Sequence, residues 1–276
     1  MEPNPRAVSA LHLGTIAAST GIDLGALPDL LALIDPALAQ PLGVGWRGGG
    51  GALAVSLRIP TRHEHVSRIE AATSPGRSAL ATVAGISGGE THLELRTGDP
   101  ITAAVRWIGA RTPDEDRALL DALGISRDTR DELVDLLGFF TVPRGTVIAR
   151  STGEVELGRV VPRLPPEVLD ALAGAAQVSS PQRALIRSVH ELLARDQPIL
   201  VSLAVTSKTL VHRLALRYAA MPWDAALRFV SGLYRGDSAK QLGAFAGAVG
   251  AQRVESLEVV LGPTEPPVAW VSAVQA

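Results

Sequence analysis

Four times in this chain a run of strand length ends at a proline and passes at once into a helical pattern: LRIPTRHEHV, ARTPDEDRALL, PRLPPEVLDAL and AAMPWDAALRF. Proline cannot donate to a sheet ladder, and its fixed φ suits the first turn of a helix, so each junction marks a strand end and a helix start. The clearest unit spans Pro198 to Arg235. Ile199 to Thr206 and Thr209 to Tyr218 read as two strands around Ser207-Lys208. In the second strand Leu210, His212, Leu214 and Leu216 share one face, and Arg213, Ala215 and Arg217 the other. A helix then starts near Pro222, with Asp224 at its positive end, and Asp237 to Val249 reads as a second helix capped by Asp237 or Ser238.

The same plan recurs five times. Residues from about 5 to 20 and Leu24 to Ala39 read as helices, followed by strands at Val44 to Arg47 and Ala52 to Ile59. His63 to Ala72 and Gly76 to Val83 precede strands at Thr91 to Thr97 and Ile101 to Ile108. Pro113 to Leu123 and Arg127 to Leu137 precede Thr146 to Arg150 and Glu154 to Val161. Pro166 to Ala176 and Pro181 to Arg195 lead into the unit already described, and Ser256 to Leu261 with Val268 to Val274 form the last hairpin. Ten antiparallel strands left open would expose two edges; closing the sheet removes them. With helices filling the connections, the apolar strand faces turn outward and the polar faces line a lumen. The expected fold class is α+β: a ten-stranded antiparallel β-barrel surrounded by α-helices in five ααββ repeats, one domain over residues 1–276.

Composition narrows the function. A formal charge of −2 gives no reason to expect nucleic acid or an anionic membrane. The chain has no cysteine, which excludes disulfides, thiolate metal sites and thiol catalysis. No apolar run nears the roughly 20 residues of a membrane span, and the first residues lack the pattern of a secretion signal, so a soluble cytoplasmic protein is expected. Lysine occurs only at Lys208 and Lys240, a bias toward arginine and alanine that a GC-rich genome explains.

The architecture resembles the ABBA prenyltransferase fold, the PT barrel of soluble bacterial aromatic prenyltransferases. ALAVSLRIPTRH (Ala52 to His63) is similar to the family's first long strand and its Pro-Thr helix start. ITAAVRWIGARTPDEDRALLDALGI and TVIARSTGEVELGRVV are similar to its strand, acidic helix and hairpin with a Thr-Gly turn. The resemblance implies that the recurring inward sites around a prenyl diphosphate fall at Ala54, Ala104, one of Glu156 or Leu157, Arg213 and Pro267. Arg213 alone keeps a cation there. Ala54 replaces the family's magnesium-binding aspartate, so the implied enzyme needs no metal or other cofactor, with the prenyl diphosphate as co-substrate.

On the same faces lie Arg58, Arg106 and Arg217, with His92, Glu94 and Arg96 on a neighbouring strand and Ser256 with Glu258 on another. Guanidinium forks suit diphosphate oxygens, and stabilising the leaving group is the electrostatic task in ionising an allylic diphosphate. Arg58, Arg96, Arg106, Arg213 and Arg217 are therefore the expected diphosphate ligands, and Glu94 or His92 the group that orients or deprotonates the acceptor. The competing reading is that Arg58, Arg106, Arg213 and Arg217 pair with Glu94, Glu156 and Glu258 to satisfy a polar interior.

The leading function is a metal-independent aromatic prenyltransferase of secondary metabolism, acting on an aromatic or heteroaromatic acceptor. The alternative is a barrel that binds or converts a small acidic metabolite without prenyl transfer. It is favoured by the scarcity of rings: Trp46, Trp107, Trp270 and Tyr218 lie on strands, parity sends most of them outward, and a prenyl cation needs aromatic shielding. A third reading is a non-catalytic assembly module. Small-molecule substrates in the lumen, no nucleic acid, no membrane, and a monomer or weak dimer are the expected partners. Elsewhere, His63 and His65 face apart on a helix start, Gly48 to Gly51 lacks the lysine of a phosphate loop and reads as a loose hairpin turn, and Arg111 to Arg117 reads as a solvated helix start.

Overall fold

The computed structural model describes residues 5–34, 40–49, 51–59, 64–73, 79–98, 101–140, 144–193, 198–206, 209–234, 237–250, 253–263 and 267–273. Its elements run α1 (Pro5–Thr20), α2 (Leu27–Ala32), β1 (Gln40–Arg47), β2 (Ala52–Ile59), α3 (Glu64–Thr73), α4 (Leu80–Ala84), β3 (Gly89–Arg96), β4 (Thr102–Ala110), α5 (Pro113–Ala122), α6 (Arg127–Leu137), β5 (Arg144–Arg150), β6 (Val155–Val161), α7 (Pro166–Ala175), α8 (Ser180–Leu193), β7 (Ile199–Thr206), β8 (Thr209–Met221), α9 (Trp223–Leu233), α10 (Ser238–Val249), β9 (Val254–Leu261) and β10 (Val268–Ala273). Every strand pairs with its sequence neighbour, and β10 pairs with β1 to close an antiparallel barrel. The five-unit reading holds.

The barrel is apolar outside. Leu53, Val55, Leu57, Leu93, Leu95, Val105, Val147, Leu157, Val201, Leu203, Leu214, Leu216, Leu257, Val259 and Val271 are buried against the helices. Those helices answer with Val66 and Ile69, Leu133, Val134 and Leu137, Leu169 and Leu172, and Leu242, Phe245 and Val249, all at helical spacing. Burying that face between sheet and jacket is the main hydrophobic gain of the fold. The opposite face of each strand carries the polar residues and surrounds the lumen. Trp46, Trp107 and Tyr218 pack outward into the jacket, as parity requires.

Boundaries depart from expectation where pairing decides them. β1 begins at Gln40 rather than Val44 because Gln40 and Pro41 pair with Arg58 and Leu57 across an irregularity before Gly43. β8 continues past Tyr218 to Met221, since Ala219 and Met221 pair with Ser256 and Val254. The helix expected over Leu24 to Ala39 is described only as Leu27–Ala32, and that over Gly76 to Val83 as Leu80–Ala84; residues 35–39 and 74–78 lie outside the described set. His63 and Ser207-Lys208 also lie outside it.

Two local readings are corrected. The run Arg111 to Arg117 is not simply a solvated helix start. Thr112 caps α5 with Glu115 in a reciprocal box, but Asp116 is 0% exposed, accepts from Arg111 Nε at 2.7 Å and from an Arg159 guanidinium N–H, and ties α5 to β6. The β1–β2 turn is not loose either. A Cβ on Gly48 would lie 2.3 Å from the Tyr234 ring, which covers the turn. The Tyr234 hydroxyl donates to the Pro267 carbonyl at 2.8 Å and accepts from the Ala269 amide at 2.7 Å.

Candidate active site in the barrel lumen

Alternation decides which side chains enter the lumen, and the register decides their height. In an antiparallel barrel the strands tilt, so a row of hydrogen-bond partners climbs from one mouth toward the other. One such row runs Arg58, His92, Arg106, Ile148, Glu156, Ala204, Arg213. Its first member sits where second strands pass into helices and its last beside the hairpin turns. A second row runs Arg217, Glu258, Trp270, Arg47, Ala52. Arginines equivalent by parity are thereby spread along the axis.

The result is two chambers. The connection-side chamber, about 370 Å³, is walled by His92, Glu94, Arg96, Arg106, Arg217 and Trp270, with Ile108, Val160 and Leu200 among its apolar members. The turn-side chamber, about 350 Å³, is walled by Arg47, Arg96, Arg150, Arg213 and Trp270, with Ala52, Thr97, Thr102, Val260 and Val268. Arg96 and Trp270 belong to both walls. The Arg96 guanidinium lies 4.1 Å over the Trp270 ring and donates to Glu94.

Between the chambers runs an ionic layer. Arg150 donates to Glu154 and Glu156, each at 2.6 Å, and Ser202 donates to Glu156 at 2.5 Å. Glu258 receives Arg217 at 2.9 Å through Nε, and Arg106 reaches across the lumen to within 3.5 Å of it. Burial alone would raise the Glu258 carboxyl, but the guanidiniums of Arg217, Arg96 and Arg150 outweigh it and hold it down at about 2. For Glu156 burial wins and the carboxyl is pushed up, despite Arg150. Burial also lowers His92, more than its neighbour Glu90 at 3.5 Å raises it, which keeps the imidazole neutral at pH 7.

The expected site residues divide accordingly. His92, Glu94, Arg96, Arg106 and Arg217 come together on the connection side, whereas Arg213 joins Arg96 on the turn side, paired with Glu154. Arg58 stands apart from both, half-exposed at the rim with Glu90 at 3.1 Å. The five arginines do not surround one anion. Each has a carboxylate partner, but the competing reading holds only in part: Arg106 and Arg217 share Glu258 as it required, whereas Arg213 takes Glu154, Arg58 takes Glu90, Arg96 takes Glu94, and Glu156 goes to Arg150. Of the implied recurring sites, Ala54 and Ala104 face the lumen, as does Glu156 rather than Leu157, which is buried among the jacket residues.

Arg47, Arg150 and Glu154 were missed. Alternation from Trp46 would have found Arg47, and alternation from Thr146 would have found Arg150. Their buried Nε and Nη1 atoms, respectively, have no hydrogen-bond partner. Among the described residues no group of three His, Asp or Glu side chains converges as metal ligands would, and no helix is long and apolar enough to cross a membrane.

No protein-family model matches the chain, nor does any curated protein match it by sequence. Solved structures do. 5-Dimethylallyl tryptophan synthase from Streptomyces coelicolor, in complex with DMASPP and Trp, superposes with a TM-score of 0.73 at 14% identity over 98% of this chain and 94% of that one. The prenyltransferase PriB, in its binary complex with product diphosphate, gives 0.69 at 15% identity over 98% and 96%. AnaPT from Neosartorya fischeri gives 0.64 at 11% over 96% and 92%. In strand order, jacket and lumen, this chain has the PT-barrel fold of the ABBA-type aromatic prenyltransferases.

Proposed function

We propose that this protein transfers an allylic group from its diphosphate to an aromatic or heteroaromatic acceptor inside the barrel, without a metal ion. The observation that carries the reading is the turn-side chamber: four arginines on its wall, no carboxylate among its described lining residues, and two buried guanidinium N–H groups without partners. A diphosphate there meets Arg47, Arg96, Arg150 and Arg213. Arg106 and Arg217, across the ionic layer, contribute field rather than contact, and Arg58 serves the opposite mouth. Ala54 on the lumen face, where the family carries an acidic metal ligand, supports metal independence.

The chemistry then follows the axis. The allylic C–O bond breaks and its electron pair leaves with the diphosphate, whose charge the arginines offset in a partly enclosed site. The allyl cation forms beside Trp270 at the boundary. The acceptor, held among Ile108, Val160 and Leu200 in the connection-side chamber, attacks through a ring carbon. The displaced ring proton passes to Glu94 or to neutral His92. The structurally similar synthase crystallised with DMASPP and Trp supports this class of donor and acceptor.

Thermal-shift measurements test it: dimethylallyl or geranyl diphosphate stabilises the protein, and Arg213→Ala removes that shift while the unliganded melting point stays within a few degrees. Incubation with an indole or phenol acceptor then yields a prenylated product. The pairing of every expected arginine, with Trp270 as the sole tryptophan or tyrosine placed on the lumen face among the described strands, favours a second reading, a barrel for a small acidic metabolite. Stabilisation by an aromatic carboxylate, with no response to either diphosphate, would select that reading instead.

A further inference from the structure

Trp270, which borders both chambers, already carries a cation of the protein's own over its ring. The Arg96 guanidinium lies 4.1 Å over the ring, at the boundary between the anion-receptive turn side and the more apolar connection side. We infer that Arg96 is a placeholder for the allyl cation, withdrawn from Trp270 when a diphosphate enters the turn-side chamber. This rests on the diphosphate reading of that chamber.

The geometry supports the exchange. One face of an indole carries one cation at contact distance, so an allyl cation and the guanidinium compete for it. Arg96 needs no new path, because it lines the turn-side chamber as well as the ring. Its present anchor is the single carboxylate of Glu94, and a diphosphate offers more charge and more acceptor oxygens to a guanidinium fork. Arg47 and Arg150 line the same wall and draw the anion to that end. Arg96 thus covers the ring in this arrangement, and a bound diphosphate draws it away and uncovers the ring. Arg96 passes from the ring to the diphosphate, and Trp270 touches the reacting cation.

The test uses the full chain with inorganic pyrophosphate and protonated dimethylallylamine, a stable stand-in for the allyl cation, by calorimetric titration. In the unaltered protein the ammonium binds at least tenfold more tightly once pyrophosphate is saturating. Arg96→Gln binds the ammonium tightly from the outset, with little further gain. Trp270→Leu loses the gain while still binding pyrophosphate, and Trp270→Phe, which keeps a ring, retains part of it. If pyrophosphate binds but the gain is absent, or survives in Trp270→Leu as simple pairing with pyrophosphate, the placeholder role is overturned and the diphosphate reading stands. If pyrophosphate does not bind, both fall.

Discussion

Asp116 shows how much a single buried charge can hold. With no exposure and guanidiniums on both oxygens, from Arg111 on the chain entering α5 and from Arg159 on β6, it fastens a jacket helix to the barrel wall. Asp116→Asn leaves one or both arginines without their counter-ion in a dry site, and we expect a loss of about 3 kcal/mol in urea unfolding, against under 1 kcal/mol for Asp114→Asn on the exposed side. Glu258 makes a pH-dependent case. Its folded carboxyl titrates at about 2, below its ordinary value near 4.5, so it adds stability above pH 4.5 that disappears as the pH falls toward 2. The Glu258→Gln variant is therefore less stable at pH 7, and the gap in melting temperature narrows through that window. A gap that stays constant down to pH 2.5 contradicts the assignment. The acidic run around Asp116 was visible in the sequence, but its burial was not: a helix-start carboxylate and a structural ion pair use the same letters, and only packing against Arg159 separates them.

At the scale of elements, β3 and β4 meet at a glycine pair, Gly89 opposite Gly109, and the Trp107 ring lies over both. A Cβ on Gly109 would come 2.4 Å from Trp107 Cζ2, and one on Gly89 2.5 Å from the same ring. Gly109→Ala should cost about 1–3 kcal/mol by displacing a fully buried indole, with a measurable change in tryptophan fluorescence; an unchanged melting curve would show that the ring moves freely. Arg111, 5.5 Å over that ring, links this packing to Asp116. Here local sequence was a good guide. Four strand–proline–helix junctions placed the even strands and their following helices, and alternation sent most of the strand aromatics outward, where Trp46, Trp107 and Tyr218 lie. Element ends were less legible: β1 and β8 are lengthened by partners that lie far away along the chain.

For the molecule as a whole, closure is the governing fact. β10 pairs on one side with β9 and on the other with β1, so the last hairpin removes two free edges at once. A chain truncated after Leu261 exposes β1 and β9 and should aggregate on light scattering; a monodisperse, cooperatively unfolding product would show that closure is dispensable. The repeat, the strand count, the inside-out polarity and the lumen parity of Arg58, Arg96, Arg106, Arg213 and Arg217 can be read along the chain, because each follows from local period and from proline. Tertiary structure alone decided how those side chains are distributed along the axis. Parity carries no information about height, and strand tilt, fixed by the register of ten strands closing on themselves, sends Arg58 to one mouth and Arg213 toward the other while setting Arg96 over Trp270 between the two chambers.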